Sequence, residues 1–336
     1  MTVPVLAPAE LAELSPLLDG DGGIVHPLVA VDLDGPGDSV PAGDRILVGI
    51  GSPRALCGDL DLTLVTTATD RTQVAVADPA AALAHLEAVV AANPQASTVL
   101  AGLLRWSGAL DVPAALDAES LAYSTLLGGP EFGRWLAARG PRPLPPPVAD
   151  PVLAAREGGT LHLTLNRPER RNAYGRLLRD ALVGLLDLAL LDPSVERVVL
   201  DGAGPGFCAG GDLDEFGTTP DPVTAHLVRT RAGAALPLHA LRGRVEVRLH
   251  GACVGAGIEV PAYAGRVVAD PDTVLRLPEV AMGLIPGAGG TVSIPRRIGR
   301  HRALWCALSG LPVPAATALE WGLVDAIVPA RARLSP

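Results

Sequence analysis

The sequence predicts an α/β fold preceded by a smaller α+β domain. From residue 158 onward, short strand patterns alternate with helical patterns, which is typical of helices packed on a sheet. Ahead of that region, strand patterns come first and helical patterns follow, which indicates a separate α+β unit. A proline-rich segment divides the two. We therefore predict an N-terminal domain over residues 1–140, a linker over 141–151 and a main domain over 152–336.

The N-terminal domain contains no motif that indicates catalysis, and the sequence predicts no role for it. Its first half has short β-rich runs between Gly, Pro and Asp turns, and its second half is rich in alanine and leucine. His85 and Trp106 are interpreted as packing or surface residues. The predicted strands cover 24–31, 45–50, 60–66 and 73–77, and the predicted helices cover 81–91, 97–106, 116–127 and 131–138.

The linker is the clearest boundary in the sequence. Five prolines fall between Pro141 and Pro147. Proline lacks a backbone N–H donor and disrupts both helix interiors and central strands. Such a segment favours an extended, semi-rigid spacer between two folded units.

The main domain has a repeated pattern of strand, turn and helix. Residues 160–165 alternate as a half-buried strand should, and a turn follows at 166–172. Apolar residues between Leu177 and Ala189 then fall on one helical face. Further strands are predicted at 197–200, 244–249 and 265–269.

The composition excludes several classes of mechanism. All 27 basic residues are arginine, so a Schiff-base lysine, a Walker-type lysine and a lysine general base are excluded. The net charge of −9 argues against nucleic acid or an anionic membrane surface as a partner. The longest uncharged run, Ala88–Leu104, is interrupted by polar residues and is too short to span a membrane.

Cysteine usage and the N-terminus favour a cytoplasmic protein. The four cysteines are far apart and form no C-x-x-C pair, which is typical of reduced, mostly buried thiols. The first residues lack the basic start and the apolar run of a signal peptide. The cysteines and histidines also lack the spacing of metal ligands, so no metal site is predicted.

Two glutamates in glycine-rich stretches are the main candidates for catalysis. Glu259 ends the segment that starts at Gly251, and Glu279 precedes the glycine-rich run 283–290. Two carboxyl groups can hold a water molecule and move protons on and off a substrate. Glycine-rich backbone beside them can direct N–H groups at a developing oxyanion, because a ligand can approach it closely. The segment Phe207–Leu213 has the same character.

Other interpretations of these motifs stay open or are disfavoured. Glu259 could be a helix-start residue that interacts with the helix dipole, and Glu279 could form a salt bridge with Arg276 or Arg296. The segment 202–206 lacks the third glycine of a dinucleotide-binding fingerprint and has no acidic residue at the right distance. No G-x-S-x-G motif occurs, which argues against a serine hydrolase.

Taken in order, the motifs of residues 158–328 resemble the crotonase (enoyl-CoA hydratase/isomerase) superfamily. The resemblance implies a crotonase-like ββα-spiral core that acts on an acyl-CoA thioester, with CoA present only as part of the substrate. It also implies a homo-oligomer, a trimer or a hexamer. The matching pieces are Leu165–Pro168 with Asn172-Ala173, Phe207–Leu213, Gly251–Glu259, Leu277–Glu279 with Gly283–Gly290, Arg296–Gly299 and Glu320–Asp325.

The resemblance also implies roles for individual residues. Glu259 and Glu279 would be the two catalytic acids of a hydratase, and the backbone N–H groups of Ala209 and Ala256 would form an oxyanion hole for the thioester carbonyl. The family usually has glycine at the position of Ala256. The residues expected to border the CoA or the substrate are Arg167, Asn172, Ala173, Phe207, Gly210, Gly211, Asp212, Gly255 and Gly287.

Two departures from the family pattern keep other functions open. Family members usually continue for a few dozen residues beyond the equivalent of Pro336, as helices that close the acyl pocket. We expect a shortened C-terminus here and a cover supplied, if at all, by the N-terminal domain. A cofactor-free dioxygenase of the family also has a helical N-terminal extension, but typically has glutamine at the position of Glu259. The alternatives to hydration are therefore isomerisation, dioxygenation or an inactive scaffold.

Overall fold

The N-terminal region begins with a parallel five-stranded sheet in this computed structural model, which describes residues 3–41 and 43–328. The strands lie side by side in chain order, and each pairs with its neighbours in parallel. Their bounds are β1 (Val5–Leu6), β2 (Leu28–Asp32), β3 (Ile46–Ile50), β4 (Leu62–Val65) and β5 (Gln73–Ala75).

Four helices follow this sheet, close to the four predicted helical runs. Proline lies at the start of each, where its missing N–H breaks no intrahelical hydrogen bond. Asp78 and Asp111 cap α1 and α3 by accepting N–H groups of the first turn. The helices are α1 (Pro79–Ala92), α2 (Pro94–Trp106), α3 (Val112–Leu127) and α4 (Pro130–Arg139).

The main domain contains a six-stranded sheet and a three-stranded sheet. The larger sheet comprises β6 (Val152–Glu157), β7 (Thr160–Leu165), β8 (Arg197–Gly202), β9 (Val245–Leu249), β11 (Arg266–Ala269) and β14 (Ala326–Ile327), and the smaller one comprises β10 (Ala252–Val254), β12 (Val274–Arg276) and β13 (Val313–Pro314). All pairs of the larger sheet are parallel except β6 with β7. The predicted α/β class is confirmed.

Helices pack between and around these sheets. Helix α5 buries Leu178, Leu182 and Leu186, which lie on the apolar face predicted from the sequence. The helices of this domain are α5 (Arg176–Leu191), α6 (Pro222–Ala232), α7 (Ala235–Leu241), α8 (Ala256–Glu259), α9 (Gly290–Ile298), α10 (Arg300–Ser309) and α11 (Ala315–Trp321).

The N-terminal region and the main domain share one hydrophobic core. Residues 141–150 contain neither helix nor strand, but a single cluster of buried side chains extends from Leu28 to Val324. Polar contacts also join the two parts: His85 Nε2 lies 2.9 Å from the Ser309 carbonyl oxygen, and Arg139 donates to Asp214 at 2.7 Å. The N-terminal helices are therefore held against the main domain, where they reach the site described below.

Two further expectations concern the cysteines and membrane-spanning segments. All four cysteines are buried and form no disulfide, as predicted. Within residues 3–41 and 43–328, every helix is too short or too polar to cross a bilayer.

Candidate active site

Glu259 ends helix α8, and its carboxyl group is held by a neighbouring loop. The residue is 2% exposed. Its Oε2 accepts the Ala288 N–H at 2.8 Å and the Gly290 N–H at 3.0 Å. These amides precede or begin α9, so Glu259 occupies the N-terminus of a helix other than its own. Backbone N–H groups at a helix start have no intrahelical acceptor, which explains why a carboxylate is stabilised here.

Glu279 points to the same place from a different loop. The residue is 8% exposed and begins a short 3₁₀ turn after Pro278. A Cβ built on Gly255 would lie 2.5 Å from Glu279 Oε1 and 3.7 Å from Glu259 Oε1. The two carboxyl groups therefore converge on one point, from which a side chain is absent. Gly255 is also required by its φ of +49°, which L side chains rarely adopt.

The alternative interpretation of Glu279 as a salt-bridge partner is not observed. Arg276 donates to the Gly310 carbonyl oxygen, and Arg296 donates to the carbonyl oxygens of Val292 and Leu110. Within the described residues, Oε2 of Glu279 is buried and has no hydrogen-bond partner. A buried carboxyl oxygen without a donor is best accommodated when the group is protonated.

The two acids differ in their hydrogen bonds. Burial raises the pKa of Glu259 well above its ordinary value, and the charges of Glu279 and Glu119 add to the shift. Burial also raises the pKa of Glu279, to about 8. The two amides that donate to Glu259 favour its carboxylate form, whereas Glu279 receives no such bond at Oε2. Burial disfavours charge on both acids, and the hydrogen bonds favour the charged form at Glu259 and the protonated form at Glu279.

One of the two predicted oxyanion donors is wrong. The Ala209 N–H donates to the Arg171 carbonyl oxygen at 2.9 Å, so it serves the loop and is not free for a substrate. By contrast, Ala256 is the first residue of α8, and its N–H has no acceptor within the described chain. Its predicted role is compatible with the structure.

Gly211 takes the place predicted for Ala209. It forms a parallel bridge with Tyr174, in which the carbonyl oxygen of Gly210 and the N–H of Asp212 bond to Tyr174. In such a bridge, the N–H of the central residue points to the opposite side. The Gly211 N–H accordingly has no acceptor among the described residues, and both Gly211 and Ala256 line the cavity that contains the two glutamates.

The cavity has a volume of about 390 Å³ and collects most of the predicted site residues. Gly210, Gly211, Asp212, Gly255 and Gly287 line it together with the two glutamates. Asp212 is buried and pairs with Arg170, whose Nη2 lies 2.6 Å from its Oδ1. This ion pair holds the segment that carries Gly211.

Four other predicted binding residues do not line the cavity. Arg167, Asn172, Ala173 and Phe207 are buried in the protein interior, and the cavity lining gives no support to the expectation that they border a ligand, which stays a prediction. The Asn172 side chain accepts the Arg167 N–H at 2.8 Å and donates to three carbonyl oxygens, including that of Phe207 at 3.0 Å. These residues hold two loops together beside the site, which explains the motif without ligand contact.

The N-terminal domain supplies one wall of the cavity, in agreement with the expectation that any cover would come from this domain, although the sequence did not indicate which residues would form it. Helix α3 contributes Leu116, Glu119, Ser120, Tyr123 and Leu127, and helix α6 faces it with Ala225, Val228 and Arg229. Tyr123 packs against Gly287, where an added Cβ would overlap with the Tyr123 ring. The available signal was the i, i+4 spacing of Glu119 and Tyr123 on the predicted helix, which gives both residues the same face.

Gly287→Ala is expected to destabilise the protein by about 1–3 kcal/mol, because the new methyl group overpacks the contact with the Tyr123 ring. The matched control is Gly184→Ala, in the interior of α5, where a Cβ meets no atom within 4 Å. That change should be neutral or stabilising, because alanine favours helix more than glycine does. Thermal unfolding of both variants tests the contact, and equal melting temperatures would contradict it.

Among residues 3–41 and 43–328, no three His, Cys, Asp or Glu side chains are arranged to hold a metal ion. The two glutamates can transfer protons, and the free backbone amides can stabilise an oxyanion.

Comparison with known proteins agrees with this geometry. Residues 155–335 match the family described as "Enoyl-CoA hydratase/isomerase". The 2,3-dehydroadipyl-CoA hydratase of Escherichia coli is 35% identical over 178 residues, which cover 53% of this chain and 69% of that protein. The mevalonyl-coenzyme A hydratase SIDH of Beauveria bassiana is 35% identical over 196 residues, or 55% and 69% of the two chains.

Two solved structures show the same likeness. An enoyl-CoA hydratase from Mycobacterium smegmatis aligns with a TM-score of 0.50 at 31% identity and covers 54% of this chain and 71% of its own. Pseudomonas aeruginosa DspI aligns with a TM-score of 0.51 at 31% identity, over 54% of this chain and 70% of its own.

Proposed function

The chain belongs to the enoyl-CoA hydratase/isomerase family, and from that premise we propose that it hydrates a 2-enoyl-CoA thioester or catalyses the reverse dehydration. The observation that carries the proposal is the convergence of Glu259 and Glu279 beside Gly255. A hydratase must remove a proton from water and deliver a proton to carbon, and two carboxyl groups at one point can do both.

The thioester carbonyl would bind between the N–H groups of Gly211 and Ala256. As water adds to Cβ of the substrate, electrons of the C=C bond move onto the carbonyl oxygen and form an enolate. The two N–H groups would stabilise that negative charge more strongly than the neutral carbonyl. Removing one such donor typically lowers the rate about 10²–10³-fold.

The two glutamates would act in sequence around this enolate. The Glu259 carboxylate, fixed by Ala288 and Gly290, would orient the water and take its proton. The protonated Glu279 would donate to Cα, so that H and OH are added across the double bond. Microscopic reversibility assigns the opposite transfers to dehydration.

Double-bond isomerisation and dioxygenation use the same oxyanion hole and remain the second candidates. An isomerase needs one group to move a proton between two carbons, so the presence of both acids favours hydration. The third candidate, an inactive scaffold, is disfavoured because the cavity, the two acids and the free amides are all present. A cytoplasmic location and a trimeric or hexameric assembly stay predictions from sequence.

The experiment follows the loss of enoyl absorbance with crotonyl-CoA and longer 2-enoyl-CoA thioesters. Hydration by the purified protein supports the proposal. Mass spectrometry of the product separates the alternatives: a gain of one water indicates hydration, an unchanged mass with a shifted double bond indicates isomerisation, and oxygen consumption indicates dioxygenation. Binding of acyl-CoA without any turnover would indicate a scaffold.

The rate of hydration should fall as the pH rises through about 8. Burial raises the pKa of Glu279 to about 8, and the proposed proton donor is its protonated form, which is present below that pH and lost above it. The measurement is kcat/KM as a function of pH from 6 to 9.5, because kcat/KM reports the groups of the free enzyme. A kcat/KM that does not fall above about pH 8 would contradict the assignment of Glu279 as the acid.

A further inference from the structure

Helix α3 of the N-terminal domain places a third carboxyl group against the loop that holds Glu259. Glu119 is 2% exposed. Its Oε1 accepts the Gly289 N–H at 2.7 Å, and its Oε2 accepts the Thr291 N–H at 2.9 Å and the Thr291 hydroxyl at 2.7 Å. All these donors lie at the start of α9, where backbone N–H groups have no intrahelical partner.

The same stretch of backbone donates to Glu259. The amides of Ala288 and Gly290 bind Glu259, and those of Gly289 and Thr291 bind Glu119. Four consecutive N–H groups therefore alternate between two carboxyl groups, one from each domain. Because the loop is rich in glycine, these bonds, together with that from the Tyr263 hydroxyl to the Gly289 carbonyl oxygen, restrict a backbone that would otherwise have wide conformational freedom.

Docking of the two domains does not by itself explain Glu119. Other contacts join the domains away from the loop, among them Arg139 with Asp214 at 2.7 Å and Arg300 with Asp61 at 3.7 Å. Burying a carboxyl group is costly, and burial raises the pKa of Glu119 to about 7. An apolar side chain could fill the same space without that cost.

We propose that Glu119 is a positioning residue for Glu259. It fixes the segment Ala288–Thr291 so that two amides of this loop hold the Glu259 carboxylate toward the substrate. The inference deepens the proposed function and rests on it, because it assigns the N-terminal domain a part in the same reaction.

The decisive variant is Glu119→Asp, which keeps the charge but shortens the side chain so that it no longer reaches the loop amides. We expect kcat for hydration to fall about 10–100-fold with KM within about threefold, as misplacement of a catalytic group predicts. The Glu259 carboxyl group should also titrate at a higher pH, because its amide hydrogen bonds weaken. The matched control, Thr125→Ala, removes another polar contact of α3, the hydrogen bond from the Thr125 hydroxyl to the Leu121 carbonyl oxygen, and should change neither quantity.

The titration is followed by ¹³C NMR of labelled glutamate carboxyl groups, which requires no turnover. The charged or titratable groups that face Glu119 are Arg229, Glu259, Glu279, Tyr123 and Tyr263. Glu119→Asp retains the charge and leaves their mutual repulsion in place. Unchanged kcat together with an unchanged titration of Glu259 would overturn the inference. If Glu119→Asp does not fold, Glu119→Gln is tested by kcat and KM in the same way.

Failure of the proposed hydratase function and failure of the positioning role of Glu119 give different results. If the wild-type protein hydrates no enoyl-CoA, the proposed function fails, and the Glu259 titration in Glu119→Asp still decides the positioning role. If the wild type hydrates and the variant behaves like it, only the role of Glu119 fails.

A second, independent observation concerns Arg229 on the cavity wall formed by α3 and α6. Its Cζ lies 4.3 Å from the centroid of the Tyr123 ring. It donates to the Ser120 hydroxyl and carbonyl oxygens, both at 3.2 Å, and to the Ser124 hydroxyl. None of these partners is anionic. Within the part of the chain that the structure describes, no carboxylate forms an ion pair with Arg229.

The phenol of Tyr123 lacks a partner as well. Tyr123 and Arg229 both line the cavity, and the Tyr123 hydroxyl has no hydrogen-bond partner among residues 3–41 and 43–328. Arg229 interacts electrostatically with Glu119, but no described carboxylate lies within ion-pair distance of its guanidinium. A half-buried guanidinium in that situation, beside a free hydroxyl donor, favours an anionic acceptor in the cavity. From the proposed function, we infer that the acyl group of the substrate carries a second carboxylate, which binds Arg229 and the Tyr123 hydroxyl.

The test compares saturated thioesters, whose binding requires no reaction. Isothermal titration should show that glutaryl-CoA and adipyl-CoA bind at least about tenfold more tightly than butyryl-CoA and hexanoyl-CoA, and that Arg229→Gln removes this preference. The matched control, Arg231→Gln, makes the same substitution on the same helix outside the cavity lining and should retain it. Equal or tighter binding of the uncharged thioesters by the wild type would overturn the inference. Failure of the proposed function is measured separately. It would appear as the absence of hydration with every enoyl-CoA, whether or not its acyl group carries a second carboxylate.

Discussion

Glu259→Gln should lower kcat for enoyl-CoA hydration about 10²–10⁴-fold, because glutamine cannot accept the proton of the attacking water. The change preserves the shape of the side chain, and the amide oxygen can still accept the Ala288 and Gly290 N–H groups. KM should therefore change little. The measurement is steady-state hydration of the best 2-enoyl-CoA substrate.

The matched control is Glu157→Gln, the same substitution at a glutamate of β6 whose side chain is 91% exposed. It should hydrate at the wild-type rate. Activity of Glu259→Gln within about threefold of wild type would remove Glu259 from the mechanism and leave an isomerase-type reaction with Glu279 as the better description.

Gly255→Ala should lower kcat by about 10²-fold, as a displacement of roughly 1 Å at a catalytic group can do. The added Cβ would lie 2.5 Å from Glu279 Oε1, so the carboxyl group must move. The same residue has a φ of +49°, at which alanine also costs about 1–2 kcal/mol of backbone strain. Activity and thermal stability should both be measured, because the two effects have different origins.

The control for this prediction separates the effect of backbone strain from the effect of displacing the Glu279 carboxyl group. Gly158 has a φ of +56°, but a Cβ there meets no atom within 4 Å. Gly158→Ala should therefore show a comparable loss of stability with wild-type kcat. If both variants lose activity in proportion to their loss of stability, backbone strain explains the effect of Gly255→Ala, and displacement of Glu279 does not.

Much of the fold was predictable because local sequence patterns determine where its strands and helices form. The strand at 160–165 and the face of α5 follow from residue periodicity, and helix starts follow from proline and aspartate. The site was predictable only in part. Ala209 was selected from its place in a motif, yet its N–H is taken by Arg171, and hydrogen-bond direction in a glycine-rich loop is not encoded in a local pattern.

The sequence by itself determined the family, the α/β class and the two acids in glycine-rich segments, because these depend on short stretches of chain. Tertiary structure alone decided that Glu259 and Glu279 meet beside Gly255, that Gly211 keeps a free N–H, and that α3 closes the cavity. The physical reason is separation along the chain: Glu119 binds amides 170 and 172 residues away, and no periodicity connects positions that only packing brings together.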